Sequence, residues 1–207
     1  RVLGVDILDH HLDLARDRYA SLWPRLAFEH QSIFELPVPD GSYDLTVCRH
    51  VIHSVPHADR VIAELVRVTK PSGRLHLIPE DYGMLHFQPG PIDLRGFWHE
   101  APTRFGETTG TDLFVGRNAY GMLMDLGLTD ITLDYVIVDP LRVPRETFAA
   151  IFEAWRDGYA EPISKVTRFS PAEATAAFDQ MIADIRDPRR YAVWMVPVVA
   201  ARVPPAR

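Results

Sequence analysis

Cysteine is almost absent from this sequence, with Cys48 the one example in 207 residues. A lone cysteine cannot form a disulfide within the chain, and Cys48 has no partner at the CxxC spacing typical of metal sites. It ends a short apolar run, YDLTVC (43–48), that predicts a buried strand. We therefore expect an inert thiol in the core, which is compatible with a cytoplasmic protein.

Long apolar runs and basic clusters are also missing. No stretch reaches the roughly 18 apolar residues that span a bilayer, and no secretory signal begins the chain, so a membrane location is not expected. The 22 Lys and Arg residues are outnumbered by 28 Asp and Glu, and they are scattered, with Arg189-Arg190 the longest run. This balance disfavours nucleic acid as a partner. A content of 47% hydrophobic and 24% charged residues is typical of one globular domain.

The segment from 36 to 80 has the order of a nucleotide-binding α/β unit. The strand predicted at 43–48 is followed by a helical pattern, and Pro71-Ser72-Gly73 breaks the chain before a second apolar strand at 74–78. Two buried strands joined by a helix predict a right-handed βαβ crossover.

The helix between these strands is amphipathic. One face is apolar and predicts contact with the sheet; it consists of Ile62, Leu65, Val66 and Thr69. The other face is charged, and Arg60 and Glu64 on it are spaced for an i,i+4 ion pair.

The same segment resembles the class I S-adenosylmethionine-dependent methyltransferases, in particular the type 11 methyltransferase domain. The positions that fit the family pattern are Leu36 to Asp40, Ser42 to Asp44, Val51-Ile52, Glu64, Arg67-Val68, Lys70-Pro71, Gly73 and Pro79. The resemblance implies transfer of a methyl group from S-adenosyl-L-methionine to a small-molecule acceptor. It does not identify the acceptor, since this scaffold serves many substrates.

The resemblance also implies where the cofactor binds. Residues 1–6 resemble the family's second strand, whose final acid hydrogen-bonds the ribose hydroxyls, and Asp6 holds that place with Ile7 beside it. Ser32 and Ile33 follow a predicted strand at 26–30, where the family contacts adenine. The alternatives are that Asp6 only starts the next helix and that Ile33 is only a core residue.

Arg49, His50 and His53 lie just past the strand that faces cofactor and acceptor in the family. Arg49 is a candidate cofactor contact. His50 is the candidate catalytic base, because it is nearer the strand end and histidine titrates close to neutral pH. His50 and His53 could also form a metal pair on one helical face, but no third ligand is evident and no metal is expected. His53 could equally be a solvated helix residue.

The family's first strand and the Gly-rich turn that cradles the cofactor have no counterpart in this sequence. The chain opens inside the second strand, and in the family's sheet the first strand lies between the second and the fourth. We therefore expect a Rossmann-like class I methyltransferase sheet without its first strand, in a single, N-terminally truncated domain spanning 1–207.

Residues 81–116, rich in Gly, Pro, His and aromatics, predict a long substrate-facing loop. Trp98, His99 and Phe105 in it are candidates to line an acceptor pocket or to pin the loop. Glu80 lies just before this loop, and Asp81 and Tyr82 begin it. These three residues could contact an acceptor or form a solvated turn.

A helix at 118–126 and a strand at 131–138 follow, and 191–202 predicts the last strand. Between these strands, 144–187 reads as a helical insertion, with one helix from Arg145 to Tyr159 and another that starts at the Ser-Pro-Ala-Glu capping sequence of Ser170. The insertion could be a lid over a small substrate, or a packing or homodimer surface.

Two other functional classes stay open. An acid at the end of the second strand also binds ribose in nicotinamide-dependent oxidoreductases, although that class does not share the pattern of 36–79. A non-catalytic ligand-binding module or partner subunit is the other, because the Gly-rich turn is missing.

Overall fold

The computed structural model describes residues 1–206. It begins with a two-stranded parallel sheet, formed by β1 (Val2–Asp6) and β2 (Leu26–His30). Helix α1 (Asp9–Arg18) connects these strands. Both predicted strands are confirmed.

The βαβ unit is also confirmed. Strand β3 (Tyr43–Arg49) leads through a 3₁₀ turn at Ile52–Ser54 to helix α2 (Ala58–Val68), and β4 (Thr69–Ile78) pairs parallel to β3. The predicted break at Pro71-Ser72-Gly73 is wrong, because these residues lie inside β4, at an irregularity in its pairing with β3.

Gly73 is required at that irregularity by a close backbone approach. A side-chain Cβ there would lie 2.8 Å from the carbonyl oxygen of Lys70 and 3.0 Å from that of Asp44. Only glycine lets the chain pass this point without displacing either strand.

Helix α2 buries a face slightly rotated from the predicted one. Ile62 and Leu65 are buried as expected, whereas Val66 is only half-buried. The expected pair of Arg60 with Glu64 is wrong, because Glu64 accepts hydrogen bonds from Arg67 instead. Those bonds lower the pKa of Glu64.

Arg67 outcompetes Arg60 because it can satisfy several acceptors at once. Its guanidinium also donates to the carbonyl oxygens of Leu36 and Val38 and to the carboxylate of Asp40. This fork fastens the segment before β3 onto α2.

The rest of the chain completes a mixed five-stranded sheet. Its remaining elements are β5 (Leu85–Phe87), α3 (Leu94–Thr109), α4 (Val115–Asp125), β6 (Thr129–Val138), α5 (Arg145–Val166), α6 (Pro171–Arg186) and β7 (Ala192–Arg202). Strand β7 runs antiparallel between β4 and β6, and β5 pairs with the beginning of β7. The α/β class is therefore confirmed.

Three segments differ from the sequence prediction. Residues 81–116 are not a loop, because they contain β5 and the 16-residue helix α3. The first helix of the insertion does not stop at Tyr159 but continues through Pro162 to Val166. The second starts as predicted, since Ser170 and Glu173 form both hydrogen bonds of a capping box.

Two apolar clusters form the core. One lies around α2, α4 and the β3–β4 pair, and it contains Cys48, which is 4% exposed. Burial raises the pKa of its thiol to about 12, as expected for an inert core cysteine. The other cluster joins α3, α5 and α6 to β7, with Phe148 and Phe152 fully buried.

Within residues 1–206, β1 and β2 share no strand pairing with the five-stranded sheet. Apolar side chains on the two sheets are exposed, including Val2 on β1 and Leu45 and Val47 on β3. The proposed missing strand remains a prediction.

Among residues 1–206, no helix combines the length and the apolar character of a membrane span.

Candidate functional site

The predicted site residues lie at the carboxyl ends of parallel strands, in two groups. Asp6 ends β1, and Ser32 and Ile33 follow β2; the two strand ends are adjacent, since the N–H of Gln31 donates to the carbonyl oxygen of Asp6. Arg49 and His50 lie at the end of β3, beside the end of β4. Ligands bind at this edge in open α/β sheets.

The first group leaves polar and apolar surface available to a ligand. Asp6 is half-exposed; its Oδ1 accepts from the N–H of Leu8 at 2.9 Å, and its Oδ2 lies 3.6 Å from Nδ1 of His11. Asp6 therefore does help to start α1, as the alternative held, yet its carboxylate keeps lone pairs for further donors. Ile7 next to it is 59% exposed.

The other two residues of this group differ from each other. Ser32 is exposed, and its hydroxyl accepts from the N–H of Phe34 at 3.3 Å. Ile33 is half-buried against the core cluster around α2 and α4. Both interpretations of Ile33 therefore stay open, because a half-buried side chain can pack on the core and still offer an edge to a ring.

Glu80 is the centre of the second group. It follows β4 and is only 6% exposed. Two histidines contact its carboxylate: Nδ1 of His50 lies 2.6 Å from its Oε1, and Nε2 of His53 lies 3.4 Å from its Oε2. A buried carboxylate needs such donors, because burial without them is costly. Glu80 is therefore neither solvated nor free to contact an acceptor.

His50 is held in an unusual backbone conformation. Its φ of 55° is in the left-handed region, and its N–H donates to the carbonyl oxygen of Ile78 at 3.0 Å. Left-handed non-glycine residues are uncommon and tend to occur at functional sites. Backbone and side chain together fix the His50 ring against β4, while the ring itself remains nearly half-exposed.

His53 is not the solvated helix residue that the sequence allowed. It lies in the 3₁₀ turn after β3 and is 6% exposed. His50 and His53 are not on one helical face either; they converge because both reach Glu80. No group of three or more His, Cys, Asp or Glu suited to a metal occurs within 1–206.

Arg49 and Asp81 have different surroundings. Arg49 is exposed at the end of β3. Asp81 is fully buried and serves the fold, because its carboxylate accepts two side-chain hydrogen bonds from Arg117, at 2.7 and 2.6 Å, and one from the N–H of Gly83. Asp81 thus anchors α4 to the end of β4, and neither sequence interpretation of it was correct.

An apolar cavity of about 180 Å³ adjoins the Glu80 cluster. His53 and Tyr82 form part of its wall, and α3, α5 and α6 supply most of the remainder, including Trp98, Phe105, Trp155, Tyr159 and Phe178. Trp98 and Phe105 thus line a cavity, and that this cavity is an acceptor pocket stays a prediction. His99 is exposed on another side of α3. Residues from the 144–187 insertion form one wall; a lid role stays a prediction.

Burial lowers the pKa of His53 below its ordinary value of 6.5, although the Glu80 carboxylate opposes this shift. At pH values between the lowered pKa of His53 and 6.5, His53 is protonated in the unfolded chain but not in the folded chain. We therefore expect the free energy of unfolding to fall as pH drops through 6.5, and less so in His53→Gln.

The ring signals of His53 in an NMR titration test this directly, with His53→Gln providing the assignment. A midpoint at or above 6.5 would show that Glu80, and not burial, dominates the environment of His53.

Comparison with known proteins adds independent information about residues 1–77, which match the family model described as a methyltransferase domain. The chain is 36% identical over 78 residues to 27-O-demethylrifamycin SV methyltransferase from Amycolatopsis mediterranei, covering 37% of this chain and 29% of that protein. It is 32% identical over 77 residues to demethylmenaquinone methyltransferase from Deinococcus radiodurans, covering 37% and 32%. The match thus spans about a third of these relatives.

Solved structures resemble the fold over nearly the whole chain. A structure described as a putative methyltransferase from Bacillus halodurans has a TM-score of 0.57 at 15% identity, covering 99% of this chain and 84% of that one. The [4+2]-cyclase SpnF has a TM-score of 0.54 at 20% identity, covering 100% and 67%. At such identities the likeness concerns the fold alone, and one fold can support more than one reaction.

Proposed function

We propose that this protein, whose residues 1–77 match the family model described as a methyltransferase domain, transfers a methyl group from S-adenosylmethionine to a small-molecule acceptor. The observation that carries the proposal is the His50–Glu80 pair at the carboxyl ends of neighbouring parallel strands, beside an apolar cavity. A proton-accepting group next to an apolar pocket is what an acceptor with an ionisable O–H, N–H or C–H requires.

The residues at the ends of β1 and β2 suit a nucleoside. The half-exposed carboxylate of Asp6 can accept from ribose hydroxyls, and Ile7 and Ile33 offer apolar surface to a base, with Ser32 and Arg49 as further polar contacts. When bound, S-adenosylmethionine supplies an activated methyl group on a positively charged sulfur.

The Glu80 carboxylate gives His50 a defined proton arrangement. A carboxylate can only accept, so Nδ1 of His50 carries the proton in this bond and Nε2 keeps its lone pair. Nε2 can then take the acceptor's proton, and the negative charge of Glu80 stabilises the imidazolium that results. Glu80 acts here as a positioning residue, because it works through His50.

Calorimetric titration with S-adenosylhomocysteine tests the cofactor part of the proposal, on the full product of the gene. We expect binding that Asp6→Ala weakens at least tenfold, because the loss of two charge-assisted hydrogen bonds costs about 1.5–3 kcal/mol each. Asp17→Ala is the matched control, since Asp17 is exposed on α1, and it should bind like the unmodified protein.

Absence of binding to the full gene product would rule out the methyltransferase proposal. Binding without methyl transfer to any acceptor would instead favour a non-catalytic ligand-binding module.

A further inference from the structure

The cavity beside Glu80 has the size of a single ring. Its volume of about 180 Å³ compares with the roughly 150 Å³ of an apolar cavity that holds benzene. Two fused rings with substituents need more space than this. The space inside the cavity therefore suits one ring with few substituents.

Two side chains that line the cavity each carry a buried polar atom with no hydrogen-bond partner among residues 1–206. These atoms are Nδ1 of His53 and Nε1 of Trp98, from side chains that are 6% and 7% exposed. Buried polar atoms are nearly always paired, so each is a place where a ligand can supply the missing partner.

The chemistry of these atoms defines the partner groups. Nε2 of His53 lies 3.4 Å from Oε2 of the Glu80 carboxylate, which can only accept, so this contact favours the tautomer with its proton on Nε2. Because the lowered pKa keeps His53 neutral, Nδ1 is then an acceptor that calls for an O–H or N–H donor. Nε1 of Trp98 is a donor and calls for an acceptor oxygen or nitrogen. One hydroxyl group can donate to Nδ1 of His53, and a hydroxyl group on a neighbouring carbon can accept from Nε1 of Trp98.

The aromatic wall favours a neutral occupant over an organic cation. Tyr82 and Trp98 are stacked with their ring centroids 5.7 Å apart, and Trp155 lies 5.3 Å from Tyr82 and 6.0 Å from Trp98. Rings this close cover one another's faces, whereas a cage for a cation must keep faces open towards it. No Asp, Glu, Lys or Arg side chain in the described chain lines the cavity.

We propose that this cavity binds a neutral, single-ring compound that carries a hydroxyl group, with the hydroxyl donating to Nδ1 of His53 and the ring packed against Tyr82, Trp98 and Trp155. That this compound is the methyl acceptor rests on the proposed function, and the group that His50 deprotonates is then a different one from the hydroxyl bonded to His53. The binding itself does not, because every group that carries it lies outside the candidate cofactor contacts.

Binding of phenol and toluene, measured by saturation-transfer NMR without cofactor, tests the proposal. The two molecules have nearly the same shape, but toluene has no donor, and transfer from water into an apolar cavity favours toluene. We expect phenol to bind about three- to tenfold more tightly, as one additional hydrogen bond allows. The bicyclic 2-naphthol should bind more weakly than phenol.

His53→Phe keeps an aromatic ring in the wall and removes the acceptor, so we expect toluene to bind better than phenol in this variant. His99→Phe is the matched control, because His99 lies outside the cavity, and it should retain the preference for phenol. The comparison in the unmodified protein stands by itself if His53→Phe does not fold.

Each other outcome overturns part of the proposal. Equal or tighter binding of toluene to the unmodified protein would remove the role of His53, tighter binding of 2-naphthol would refute the single-ring limit, and no binding of any probe would refute the cavity as a ligand site. Phenol binding by a protein that fails to bind S-adenosylhomocysteine would instead retain the ligand site and reject the methyltransferase function.

Discussion

Replacing Glu80 with glutamine is expected, under the proposed function, to lower kcat for methyl transfer by about 10²–10⁴-fold, the range that general base catalysis contributes. Glutamine fills the same space, but it carries no charge to stabilise the His50 imidazolium, and its amide can turn a donor towards Nδ1. Labelled methyl transfer from S-adenosylmethionine to the best acceptor of the full gene product measures this effect. Glu107→Gln, the same change in an exposed carboxylate on α3, is the control and leaves kcat unchanged.

A double-mutant cycle separates this role from a structural one. If Glu80 acts through His50, Glu80→Gln has little further effect on kcat once His50 is alanine, because the residues work as a unit. Added imidazole restores part of the activity of His50→Ala. Independent, multiplicative losses in kcat and no rescue by imidazole would show that His50 is not the base.

Replacing Phe152 with alanine lowers the free energy of unfolding by about 3–5 kcal/mol, the usual cost of emptying a buried aromatic site. Phe152 is fully buried, and its ring lies 5.6 Å from Phe87, 5.5 Å from Phe148 and 5.0 Å from Trp155, so it joins α5 to the sheet and to the cavity wall. Few neighbours can move into the space it leaves.

Urea denaturation measures this loss. Leu141→Ala is the control, since Leu141 is 81% exposed, and it stays within about 0.5 kcal/mol of the unmodified protein. A loss below about 1 kcal/mol for Phe152→Ala would mean that α5 packs loosely against the sheet.

Much of the sheet was predictable because its signals are local. The strands at 26–30 and 43–48 are recognisable as short apolar runs, and the capping sequence at Ser170 indicates the start of α6. Residues 81–116 were misjudged for the same reason: glycine and proline are typical of loops, but α3 tolerates Pro102 because tertiary packing of Phe97 and Trp98 outweighs its local cost.

The site was predictable only in part. His50 could be singled out from its place at a strand end, but its link to Glu80 spans 30 positions and depends on the left-handed turn at His50. The burial of His53 depends on helices far along the chain, which no local pattern reveals. The usable signal was Glu80 itself, an acid two positions after the end of a predicted buried strand that neighbours the strand of His50.

The cavity has a further consequence for how such a protein can diversify. Apart from His53 and Ser54, its wall consists of side chains that follow position 77, where the family match ends. Substitutions in α3, α5 and α6 can therefore reshape the pocket without touching Asp6 or the His50–Glu80 pair. Under the proposed function, selection for a new acceptor would act on residues after 77 while the candidate cofactor contacts within residues 1–77 stayed constant, and exchanging 81–187 between relatives would be a direct way to engineer specificity.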